Sequence, residues 1–158
     1  MVKLIFCNLD MLKDKPDEEG YENYDLTRFD LENFKTNRDI FIRKFAELSK
    51  ESNNKILFYS RKIYLLNEYQ KKYFHMGYKN FQFKDRRTIE SFVKNNQQKN
   101  NYFVFIGGKN VDFQLAVNTR SLFIVPTWLP LEEKPKRYGI HVDKVKHLVK
   151  FIRTMNNL

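Results

Sequence analysis

The sequence predicts a single α/β domain, a three-layer sandwich with helices on both sides of a mainly parallel five-stranded sheet. Two patterns lead there. The runs "LIFC", "ILFY", "YFVFI" and "LFIV" are apolar on consecutive positions, which suits strands buried on both faces, as in a parallel sheet covered by helices. Between them, apolar residues recur at three-to-four spacing, the period of an amphipathic helix. A chain of 158 residues with 42% hydrophobic content is large enough for one core. No repeat or low-complexity linker marks a second unit, so 1–158 reads as one domain.

Taken in order, residues 2–8 read as the first strand. Residues 11–36 carry Pro16 and Gly20 and are acidic around Asp17 to Glu22 in an otherwise basic chain, and they read as a loop or flap. Asn37 is placed to cap a helix over 38–51, where Ile40, Phe41, Phe45 and Leu48 make a stripe. "KILFYS", 55–60, is the second strand. Ile63, Leu66, Tyr69 and Tyr73 mark the next helix, which stops near Gly77, and "KNFQFK" is a short third strand. Residues 86–97 read as helix, "NYFVFIGG" as a fourth strand, 111–118 as a short helix and "SLFIVP", 121–126, as the fifth strand. The segment 127–158 reads as a Pro-rich connection followed by one helix, with Val142, Val145, Leu148, Val149 and Ile152 as its apolar stripe.

Bulk composition bounds the partners. The only cysteine, Cys7, excludes an intrachain disulfide framework, and neither a leader nor a long apolar span is visible, so a cytoplasmic setting without a membrane partner is expected. Net charge is +10, from 29 Lys and Arg against 19 Asp and Glu, and such a surplus steers anions. Abundant Lys, Asn, Tyr, Phe and Ile together also fit a compositional origin for that charge. On the last helix, Lys144, Lys146, Lys150 and Arg153 lie off the apolar stripe; they read as a solvated face, with a nucleic-acid or other anion-binding face as the alternative.

In open α/β sheets ligands bind outside the carboxyl ends of the strands. Those ends carry Asn8 and Asp10, then Ser60, then Lys84, then "GGKNVD" with Gly107, Gly108 and Asp112. Each has an ordinary structural reading as well: Asn8 as a turn cap, Asp10 bonding loop amides, Ser60 starting a helix, the two glycines allowing a tight turn. Cys7 precedes Asn8 in a strand and so faces the opposite side, as a buried core thiol. His75, His141 and His147 lack metal-ligand spacing, and "GGKN" lacks the phosphate-binding loop pattern.

In their order, "NLD", "LFYS", Lys84 in "FKDRRTIESF" and "IGGKNVD" resemble the haloacid dehalogenase (HAD) superfamily of phosphatases and phosphotransferases. That resemblance implies an Asp nucleophile that becomes an aspartyl-phosphate, a second Asp as acid and base, Ser and Lys holding phosphate oxygens, and acids after the fourth strand that bind Mg²⁺. Carried over, Asp10 matches the acid and base, Ser60 and Lys84 the phosphate holders, and Asp112 the later acid and metal ligand. Two positions depart: Asn8 stands where the nucleophile belongs and Gly108 where the first of the late acids belongs.

An amide is neutral, poorly nucleophilic and a weak Mg²⁺ ligand. The expectation is therefore a capless, catalytically degenerate HAD-like protein with no cofactor, acting as a binding or regulatory module for a protein, nucleic-acid or phosphorylated partner, with self-association open to it. The alternative is a divergent phosphatase on a phosphorylated, macromolecular substrate, which would need Mg²⁺.

Overall fold

The computed structural model describes residues 2–13, 30–97 and 100–155. Six strands form one sheet: β1 (Val2–Asn8), β2 (Asn54–Ser60), β3 (Phe81–Asp85), β4 (Asn101–Ile106), β5 (Leu122–Pro126) and β6 (Ile140–Val142). Their order is β3-β2-β1-β4-β5-β6, and every neighbouring pair is parallel. Parallel neighbours need crossovers, and these are the helices α1 (Leu31–Ser49), α2 (Ile63–His75), α3 (Ile89–Asn96), α4 (Asn110–Asn118) and α5 (Glu133–Tyr138), with α6 (Val145–Thr154) after the last strand.

Both faces of the sheet are covered, as the unbroken apolar runs require. On one face Ile5, Cys7, Ile56, Phe58 and Ile106 pack with side chains of α1, α2 and α6. Leu4, Phe6, Leu57, Tyr59 and Phe105 face the other way, against Ile89 and Val93 of α3 and Ala116 of α4. The alternation that divides these clusters is the two-residue period of a strand. Cys7 is fully buried, and desolvation pushes its thiol well above the ordinary range.

Several boundaries differ from the sequence reading. The sheet has six strands rather than five: "IHV", assigned above to the start of the last helix, pairs with β5 as β6. Gly139 and Asp143 bracket this strand, so the final helix starts only at Val145. Helix α1 begins at Leu31, seven residues before the expected start, because Asp30 rather than Asn37 is the cap; its carboxylate accepts the Asn33 N–H at 3.0 Å. The expected flap is thus shortened from both sides, by a turn of 3₁₀ helix over Leu9–Leu12 and by α1. Its acidic part, Asp17 to Glu22, lies outside the described residues. The segment after residue 127 is also richer than a connection and one helix, since it holds α5, β6 and α6.

Strand order matters for function. From the central pair, the chain winds outward one way through β2 and β3 and the other way through β5 and β6. Between β1 and β4 the winding reverses, and open sheets place ligand crevices at the carboxyl side of such a point. Asn8 ends β1 and Gly107 follows β4, so both stand at this position.

Candidate functional site

The residues singled out at the strand ends fall into two hydrogen-bonded groups, one around Asp112 and one of Asp10 and Ser60, with Lys84 apart from both. Asn8 and Tyr59 are register partners across β1 and β2 and share one face. Ser60, one residue later, points to the other. This parity decides which side chains can meet.

The inner group centres on Asp112, which is 0% exposed. Its Oδ1 accepts the Tyr59 hydroxyl at 2.5 Å and the Asn8 Nδ2 at 2.9 Å. Oδ2 accepts the backbone N–H of Lys109 at 3.0 Å, with the Asn8 amide also at 3.2 Å. Local structure places it there: Asp112 sits in the first turn of α4, where unpaired backbone N–H groups favour a carboxylate. Asn8 is committed at its other end too, since its Oδ1 accepts the Asp10 N–H at 2.9 Å and caps the 3₁₀ turn.

The charges follow from burial. Desolvation raises the Asp112 pKa above the usual carboxylate value, opposed by the bonds from Tyr59, Lys109 and Asn8, while the Asp10 charge adds to the rise. For Tyr59, burial and then the Asp112 charge push the phenol well up, so it stays a donor. Arg86, just past β3, acts in the opposite sense on Tyr59.

Gly107 makes this arrangement possible. A Cβ there would lie 2.2 Å from Asp112 Oδ2, so only a residue without a side chain lets the carboxylate come so close to the β4 exit. Gly108 is enclosed differently. A Cβ at that position would stand 2.8 Å from the Pro130 carbonyl oxygen and 3.0 Å from Leu131 Cδ2. Residues 129–132 are held in place by the Glu132 N–H donating to the Gly108 carbonyl at 2.9 Å and by the Asn110 N–H donating to Glu132 Oε1 at 3.2 Å.

The outer group is smaller. Ser60 Oγ donates to Asp10 Oδ1 at 3.3 Å and accepts the Lys62 N–H at 3.1 Å, so the serine shapes the turn into α2 while touching Asp10. Lys84 leaves β3 on the face of Tyr59, its register partner. Its ammonium lies 4.4 Å from the centroid of the Phe92 ring, a cation–π contact with α3. Asn8 and Asp112 are therefore brought together, as are Asp10 and Ser60, while Lys84 is engaged with an aromatic ring.

The basic residues of α6 are spread along the helix. Lys144 stands at the N-cap position without a side-chain capping bond, Lys146 and Lys150 are exposed along the helix, and Arg153 near its end pairs with Glu51 at 2.9 Å.

Sequence reasoning missed Tyr59. The available signal was the parity of "LFYS": attention to Ser60 at the strand end hides the residue before it, which faces the same side as Asn8. Among the described residues no helix is long and apolar enough to cross a membrane, and no group of three or more His, Cys, Asp or Glu side chains gathers as a metal site. No family model matches the chain, and neither curated proteins nor solved structures yield a match.

Proposed function

We propose that this protein is a Rossmannoid, HAD-like module in which the phosphotransfer centre has become a structural hydrogen-bond lock, and that it acts by binding a partner rather than by turnover. The observation that carries this reading is the state of Asp112, fully buried with both oxygens taken by Asn8, Tyr59 and the Lys109 N–H. A metal-binding acid must present lone pairs to an open position shared with other hard donors. Here they point inward to protein donors.

The donor set does not suit Mg²⁺. Asn8 offers an amide oxygen already holding the Asp10 N–H, and Gly108 offers no side chain, in a space narrowed by Pro130 and Leu131. Asp10 remains, with Ser60 on its carboxylate. No nucleophile of the expected kind stands at the switch point, and no catalytic step is assigned.

The test is phosphate release from p-nitrophenyl phosphate and a panel of phosphorylated metabolites with Mg²⁺, alongside Mg²⁺-dependent thermal shifts. The natural chain is expected to give neither. Turnover that Asp10→Ala abolishes would overturn the proposal in favour of a divergent phosphatase. Asn8→Asp is expected to destabilise by about 2–4 kcal/mol, because it removes the amide donor and sets two carboxylates against each other in a buried site.

A further inference from the structure

The solvent face of α2 stands apart from the lock and from the HAD-like reading. Its buried stripe is Leu65, Leu66 and Tyr73. On the opposite side, Ile63, Tyr64, Asn67, Gln70, Lys71, Phe74 and His75 fall on one continuous arc at 100° per residue. Two of them are large aromatic rings left in water: Tyr64 is 65% exposed and Phe74 59%. Ten residues apart on a helix, the rings stand about 15 Å from each other along the axis.

Beside the Phe74 ring lies an open concavity of about 430 Å³, lined by Asn67, Gln70, Lys71, Phe74 and His75. The segment from residue 61 to 79 is basic, with Arg61, Lys62, Lys71, Lys72 and Lys79 against Glu68; of these cations Lys71 lines the concavity, while the Lys72 ammonium lies over Tyr69 and Tyr73. The Lys79 ammonium lies 5.6 Å from the Phe74 centroid, so a cation accompanies the ring itself.

We propose that this face of α2 binds single-stranded nucleic acid. The chemistry selects this partner over other polyanions. Lysines alone would hold any acidic chain, but exposed aromatic rings offer stacking surfaces that unpaired bases use and carboxylates do not. Asn67 and Gln70 each present both a donor and an acceptor, which match base edges. A duplex keeps its bases stacked inside and would leave Tyr64 and Phe74 without a role. Phosphates would run along Lys71, Lys79 and Arg61, with bases on Tyr64 and Phe74 and in the concavity beside Phe74.

The experiment is fluorescence anisotropy with a labelled oligothymidylate of about 12 nucleotides, using the full chain. Binding is expected at low salt and weakens as salt rises. Tyr64→Ala with Phe74→Ala is expected to raise Kd about tenfold or more, and Lys71→Glu to raise it independently. Lys146→Glu with Lys150→Glu on α6 should leave it unchanged. These side chains are exposed, and circular dichroism checks that each variant keeps its fold. Absence of binding at low salt overturns the proposal. So does binding that ignores the loss of both rings, which would mark charge attraction alone, and so does equal loss in the α6 variant. Association with phosphatidylserine vesicles that depends on Tyr64 and Phe74, with none to the oligonucleotide, would assign the face to a membrane surface instead.

Discussion

Asp112 shows how one buried carboxylate can tie two strands and a helix start together. Each of its partners loses something different if it is removed: Tyr59 a hydroxyl acceptor, Asn8 an amide acceptor, Lys109 the cap of its N–H. Tyr59→Phe deletes one donor and leaves the carboxylate buried with less support, so a loss of about 1–3 kcal/mol is expected in urea unfolding at neutral pH. Its pH dependence has a definite sign. The folded pKa of Asp112 lies above its ordinary value of 3.8, so the folded state holds a proton that the unfolded chain has released. This contribution to stability is therefore greatest below 3.8 and declines as pH rises through the raised folded value. Asp112→Asn should flatten that slope, and unfolding curves across pH check it. Asn8, Asp10, Ser60 and Asp112 were all legible as strand-end residues. What they touch was not, because parity put Ser60 and Asn8 on opposite faces and brought in Tyr59, while Lys84 lies over the Phe92 ring.

The turn between β4 and α4 is the element that fixes the lock. Gly107 admits the Asp112 carboxylate, and the Glu132–Gly108 and Asn110–Glu132 bonds seat the 129–132 segment over the same turn. Gly107→Ala is expected to be among the more damaging single-methyl additions in the protein, at about 2 kcal/mol or more, since its new carbon meets a buried carboxylate rather than a side chain that can swing away. A thermal melt of the variant is the check. Elements with long apolar runs or regular stripes were readable from the sequence. Those that failed had weak local signals: β6 is three residues long and shares its valine with a helical stripe, and the first turns of α1 lie in polar sequence where only Asp30 marks the start.

At the level of the whole molecule, parallel pairing and coverage of both faces followed from unbroken apolar strands, but the order of the strands did not, since periodicity carries no information about neighbours. One side chain ties the sheet to its outer layer. Lys3 is 1% exposed, and its ammonium donates to the Ile152 carbonyl in the last turn of α6, where a cation meets the negative end of the helix. Burial lowers its pKa and Glu51 works against that shift. Glu51 also holds Arg153, so β1, α6 and the loop after α1 share one polar clasp. Lys3→Ala is expected to cost about 1–3 kcal/mol in chemical denaturation, by leaving the carbonyl without its donor and opening space beside it.

The central place of β1 also bears on how the chain is made. Its β2 partner follows within some fifty residues, but the strand that closes its other side is Asn101–Ile106. During synthesis the edge of "KLIFC" therefore waits for β4 after β2 has emerged, an interval of roughly 2 to 9 seconds at ordinary translation rates. An apolar strand with an open edge is a template for pairing between chains. The feature that sets the lock at the middle of the finished sheet also makes the half-made protein most adhesive there, and co-translational chaperone demand should be concentrated in that window.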